Sequence, residues 1–132
     1  MDSHLLTAYN NTSYNVFEPA LSIKIGQRNP ELDTFLKSMN HKKWAFITAC
    51  NPFSKIVSDR ENEERHHQLK EQIKEYPFFE GEGKGMDTSW KPERSFLILG
   101  ISETDAVKLG RYFEQNAIVL GSLKEHARLL LV

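Results

Sequence analysis

Asn51, Ser54, Asn62, Arg65, Trp90 and Glu93 are the side chains whose types and spacing suit binding chemistry, and they gather around the ends of two apolar runs. Arg65 carries a planar fork of donors that matches a phosphate or carboxylate, and Asn51 and Asn62 each bring a donor and an acceptor to orient what the fork holds. Trp90 can stack on a ring, and Ser54 adds a hydroxyl near Asn51. The set leads us to expect a pocket for a small anionic metabolite, a nucleotide being the leading example, with no cofactor. Glu93 is the candidate general base if the chain is an enzyme, a question these residues leave open. In a structural alternative, Arg65 and Glu93 form a buried pair tying helix to sheet, while Asn51 and Ser54 cap backbone groups. In a functional alternative, the chain is a non-catalytic interaction module, such as an inhibitor, an antitoxin-like partner or a defence accessory protein. It would then take a protein partner by strand addition at Leu21 to Ile25 or Leu129 to Val132.

Other catalytic kits fail on spacing. His66 and His67 are adjacent, so on a helix they point about 100° apart, and no His-x-x-x-His pair occurs; no metal site is expected. No Gly-x-Ser-x-Gly string is present to build a nucleophile elbow. Cys50 ends an apolar run and reads as a small buried hydrophobe rather than a reactive thiolate. Gly81-Glu82-Gly83-Lys84-Gly85 lacks the Lys-Ser/Thr pair and following helix of a phosphate loop. It reads as a mobile flap over the pocket or as a plain surface loop, with an extended stretch from Met86 to Glu93 after it. Lys84, Trp90, Lys91 and Arg94 approach a basic and aromatic pattern, but Glu82, Asp87 and Glu93 dilute it, so nucleic acid is not an expected partner.

The elements that must position these groups follow from periodicity. Trp44-Ala45-Phe46-Ile47-Thr48-Ala49-Cys50 is a strand apolar on both faces that stops at Asn51-Pro52, because proline has no amide donor for a ladder. Ser58-Asp59-Arg60-Glu61 is a capping box opening a helix from about Asp59 to Tyr76. Leu69, Ile73 and Tyr76 share one face of that helix, and extending the face backwards reaches Arg65 or His66 and then Asn62. A face that should bury therefore turns polar near the end of the central strand; either it meets a solvated rim, or Arg65 meets an anion or a carboxylate. Ser95 to Ile101 is the second apolar strand. If it runs antiparallel to the first, Glu93 and Trp90 converge on Asn51; if parallel, the site shrinks to Asn51, Ser54, Asn62 and Arg65.

The remaining elements are packing. They comprise a short helix capped by Ser3, strands at Val16-Phe17 and Leu21 to Ile25, a helix opened by Asn29-Pro30, a helix capped by Ser102, and strands from Ala117 and Leu129. Helices and strands alternate from residue 20 onward. The expected fold is α+β or α/β, a single three-layer domain over residues 1–132 with a mixed β-sheet covered by three to four helices. The chain's 132 residues are enough for one core, 39% are hydrophobic and 27% charged, and 17 basic against 18 acidic residues leave no global field for a polyanion. A lone cysteine, a start at Met1-Asp2-Ser3-His4 without a leader pattern and no apolar run of about 20 residues lead to the expectation of a cytoplasmic protein that does not enter membranes.

One resemblance spans most of the chain. Ala8-Tyr9, Trp44 to Ala49 with Asn51-Pro52 and Ser54, and Glu61-Asn62 with Arg65 are similar to a bacterial family known as domain of unknown function 3293. So are Gly81-Glu82-Gly83, Trp90 with Pro92-Glu93, Ser95-Phe96-Leu97 and Gln115-Asn116-Ala117-Ile118. The resemblance implies a bacterial single-domain protein and assigns no activity.

Overall fold

The computed structural model describes residues 3–87 and 89–132; Met1, Asp2 and Thr88 fall outside it. Four helices, α1 (Ser3–Asn10), α2 (Pro30–Ser38), α3 (Asp59–Gln72) and α4 (Glu103–Tyr112), accompany seven strands. The strands are β1 (Ser13–Val16), β2 (Leu21–Ile23), β3 (Lys43–Thr48), β4 (Phe78–Lys84), β5 (Glu93–Leu99), β6 (Ala117–Ser122) and β7 (Arg128–Leu131).

The strands form one sheet in the order β2-β1-β4-β5-β3-β6-β7, and every neighbouring pair is antiparallel. The mixed sheet expected from the alternation of helices and strands is therefore corrected. Among the described residues, parallel pairing occurs only as an isolated bridge between Ile25 and Ala127, which brings the two edges of the sheet together. The sheet curls into a half-barrel rather than lying flat as the middle of three layers. The reason is topological. The strands joined through a helix, β2 and β3, β3 and β4, and β5 and β6, run in the same sense, but strands of opposite sense lie between the members of each pair, so every neighbouring contact is antiparallel and strand twist accumulates into curl.

Alternation along β3 divides the core. Trp44 and Phe46 face one way and join Tyr14, Val16, Ile23, Leu97, Leu99 and Val119 beneath Leu32 and Leu36 of α2. Ala45 and Ile47 face the other way and join Phe96, Ile98, Ile118 and Leu120 beneath Leu69 and Ile73 of the α3 end and Ala106 and Phe113 of the α4 end. The cap signals hold: the side chains of Asn29, Ser58 and Ser102 accept from the amides of Leu32, Glu61 and Asp105.

The glycine-rich stretch is also corrected. Gly81 to Lys84 is neither flap nor surface loop but the second half of β4, paired with β1 on one side and β5 on the other. A Cβ on Gly81 would collide with the carbonyl oxygen of Asn15, so the glycine is what allows β1 to lie against β4. The loop proper runs from 85 to 92. There Asp87 accepts from the amide and hydroxyl of Ser89, and Ser89 and Trp90 lie in a turn and a bend where an extended stretch is expected.

Candidate functional site

The register of β3 against β5 builds the site. Thr48 pairs with Ser95, so the chain leaving β3 comes alongside Glu93, the first residue of β5. This is the antiparallel arrangement in which Asn51 and Glu93 converge. Asn51 adopts φ +50°, and Phe53 and Ser54 follow at +52° and +61°, so three of the four residues from 51 to 54 sit in the left-handed region. Non-glycine residues enter it rarely, and bonds around the turn must hold them there.

Asn51 is 8% exposed and supplies most of those bonds. Its Nδ2 donates to Glu93 Oε2 at 2.7 Å, and its Oδ1 accepts from the Val57 amide at 3.2 Å and from Asn62 Nδ2 at 3.0 Å. Its own amide donates to Asn62 Oδ1 at 2.8 Å. Asn62 thus lies on the inward face of α3, as the helical spacing predicts, and its partner is the turn after β3.

Arg65, three residues further along the same face, meets backbone carbonyls and the carboxylate of Glu114 rather than that of Glu93. Its Nε donates to the Ala49 carbonyl at 2.5 Å, one terminal nitrogen donates to the Phe113 carbonyl, and the other lies 3.4 Å from Glu114 Oε1. The fork joins the end of β3 to the end of α4. The pair proposed between Arg65 and Glu93 is not formed; Glu114 takes the carboxylate role at the rim.

Glu93 faces a cleft of about 530 Å³ between the sheet and α1. The floor is the α2-side face of the sheet at Tyr14, Phe46, Thr48, Ser95, Ala117 and Val119. One wall is α1, through Leu5, Ala8 and Tyr9, and the other is the β4–β5 loop, through Met86, Asp87 and Trp90. Of the six side chains singled out from sequence, Ser54, Trp90 and Glu93 line this cleft; Asn51 and Asn62 stand behind Glu93, and Arg65 lies outside the lining. Burial pushes the Glu93 carboxyl above the usual range, opposed by hydrogen bonds from Asn51 and Trp90.

Several cleft residues had been read from sequence only as packing or left without a role. Gln115 is 7% exposed, and its Nε2 donates to the carbonyls of Cys50 and Phe113, each at 3.1 Å. Asn116 donates to Ser54 Oγ at 2.9 Å, and the Tyr9 hydroxyl bonds with both Ser54 and Asn116. Burial raises the Tyr9 phenol above its ordinary value, and the nearby Glu93 charge adds to the rise. A Tyr on a short helix and a Gln-Asn pair after a helix carry no periodic signal of a shared site; they meet only because α1 folds back over the start of β6.

On the opposite face, His66 is 3% exposed, stacks on Phe96 at 4.2 Å and bonds Glu80 Oε1 through Nε2 at 2.9 Å, while Nδ1 has no partner. Arg94 bridges Glu63 and Glu80 beside it. Cys50 is buried, and burial pushes its thiol up, against thiolate chemistry. Among the described residues no group of three His, Cys, Asp or Glu side chains could hold a metal ion, and no helix is long and apolar enough to cross a membrane.

A family model described as "Protein of unknown function (DUF3293)" matches residues 47–118, which run from the second half of β3 into β6 and include Asn51, Asn62, Arg65, Glu93, Gln115 and Asn116. Searches of curated proteins and of solved structures each return no match.

Proposed function

The chain belongs to the DUF3293 family of proteins of unknown function, and from that premise we propose that it binds a small metabolite in the cleft between α1 and the sheet, with Glu93 as its polar anchor. The observation that carries this reading is a partly buried carboxyl, held from behind by Asn51, on the wall of a cleft whose volume suits a small organic ligand. The aromatic side chains of Tyr9, Tyr14, Phe46 and Trp90 along the lining favour a ligand with a ring. The expected anionic handle has less support, because Arg65 is engaged with backbone carbonyls. If a nucleotide is the ligand, its base rather than its phosphate occupies the cleft. Binding is the proposal, and no reaction is assigned to it.

The test is a thermal-shift screen against nucleotides, nucleosides, sugar phosphates, small carboxylates and aromatic amines, repeated on Ala8→Trp. Ala8 is exposed on α1 and lines the cleft, so the larger side chain fills the space without disturbing the core. A ligand at a hundred times its dissociation constant adds about 2.7 kcal/mol, or several degrees in a domain of this size, and the shift should vanish in Ala8→Trp. If no compound produces a shift, the cleft reading falls and the interaction module takes its place, with strand addition at β2 or β7, the two edge strands of the sheet, beyond the bridge that joins them at Ile25 and Ala127.

A further inference from the structure

The charges along the cleft carry the argument further, to the class of ligand. Building on the cleft as the binding site, the geometry points to a ligand that carries a protonated amine or amidinium on an aromatic or otherwise apolar body, with the cation against Glu93. The ionisable groups along the lining are lopsided. Glu93 lies on the wall and Asp87 lies in the loop beside it, whereas no Lys or Arg lines the cleft among the described residues. Arg94, next in sequence to Glu93, points to the other face of the sheet, where Glu63 and Glu80 hold it. Arg65 is spent on the carbonyls of Ala49 and Phe113.

Glu93 is therefore a carboxyl whose protein partners are neutral donors, Asn51 and Trp90, at the edge of a space walled by aromatic rings. A carboxylate in such a place has lost part of its hydration without gaining a counter-charge, and a cationic ligand restores one. The rings work in the same direction, because an aromatic face attracts a cation and does nothing for an anion. An anionic ligand would instead meet two carboxylates and, among the described residues of the lining, no Lys or Arg. The titratable groups facing Glu93 are Tyr9 from α1, Tyr14 from β1 and Cys50 from the end of β3; each has its own ionisation pushed up, so none carries charge near neutrality.

The test compares three indole compounds that differ only at the end of the same two-carbon arm: tryptamine, tryptophol and indolepropionate. Binding is read at neutral pH by amide chemical-shift titration of the whole chain. The expected result is that tryptamine binds at least about tenfold tighter than tryptophol, that indolepropionate binds weakest, and that the shifts map to α1, Trp90 and Glu93. In Glu93→Gln the difference between tryptamine and tryptophol should disappear while tryptophol binding persists. Lowering the pH through the carboxyl range should weaken tryptamine and not tryptophol, since the amine stays protonated while Glu93, its pKa raised, loses its charge ahead of Asp87, whose pKa is lowered. Equal binding of all three compounds in the cleft would overturn the cation preference and leave the cleft as the site. Tighter binding of indolepropionate, or no binding of tryptamine, would also overturn it. Failure of the broad screen, in contrast, would remove the cleft reading itself.

Discussion

Glu93 and His66 show how the surroundings of one ionisable group set what it does to stability. The folded pKa of Glu93 is raised, so its effect on stability is most favourable below the unfolded carboxyl value and is lost as pH rises through the folded value. Above that the fold carries a poorly solvated carboxylate. Glu93→Gln keeps an oxygen to accept from Asn51 Nδ2, so its melting temperature without ligand should equal or exceed that of the wild type at neutral pH. The gap should close as the solution is acidified through the carboxyl range, as followed by calorimetry. His66 works in the opposite direction. Burial lowers its pKa despite the bond to Glu80, and the Arg94 charge adds to the lowering, while Glu80 from β4 and Glu63 from α3 pull it back up. A lowered histidine binds its proton in the unfolded chain first, so stability is full above the unfolded value of about 6.5 and declines as pH falls from there through the folded value. The wild type should therefore lose melting temperature between neutral and mildly acidic pH. His66→Phe, which preserves stacking on Phe96 and leaves Glu80 bonded to Arg94, should show a flatter profile over that window.

At the scale of elements, α3 acts as two half-helices with different tasks. Its second half and the residue that caps it bury Leu69 and Ile73 against the sheet, which is ordinary amphipathic packing. Its first half points Asn62 and Arg65 at the chain leaving β3, and so fixes the left-handed turn on which the position of Glu93 depends. Arg65→Ala would leave the carbonyls of Ala49 and Phe113 without their donor. We expect a loss of about 2–4 kcal/mol in urea unfolding, and only partial recovery in Arg65→Lys, because one ammonium does not reproduce a fork that spans two carbonyls. A merely solvated arginine would give almost no loss, so the measurement separates a structural clamp from a rim residue.

At the scale of the whole molecule, the curled sheet and its two core clusters form the rigid part, and α1 lies on its surface. None of the eight residues of α1 is buried, and a helix of that length is marginal on its own. The Tyr14 hydroxyl donates to the Tyr9 carbonyl at 2.9 Å, and the Tyr9 hydroxyl reaches Ser54 and Asn116; these are the ties that hold it over the cleft. Hydrogen exchange should accordingly find the amides of α1 exchanging far faster than those of β3 and β5. Saturation with a cleft ligand should slow α1 selectively, because such a ligand fills the gap between its inner face and the sheet. Uniform protection across α1 and the sheet before ligand is added would contradict this division.

Features set within a few neighbouring residues are legible in the amino-acid order alone. The caps at Asn29, Ser58 and Ser102 need one side-chain oxygen and an amide three residues on, and all three form. The apolar runs at Trp44 and Ser95 give interior strands because side chains on both of their faces are apolar, and the inward face of α3 follows from 3.6-residue spacing, including its polar end. Tertiary structure alone decided strand direction, since an apolar run reads the same in either sense, and with it the meeting of Asn51 and Glu93. It also decided the curl of the sheet, the placing of Gly81 to Lys84 in a strand, and the partner of Arg65. A guanidinium suits a backbone carbonyl, a carboxylate or a phosphate alike, and which it meets depends on what the fold brings within about 3 Å of it. The cleft belongs to the same category, because its floor, walls and charge come from segments far apart in the chain that share a surface only after the sheet has closed around them.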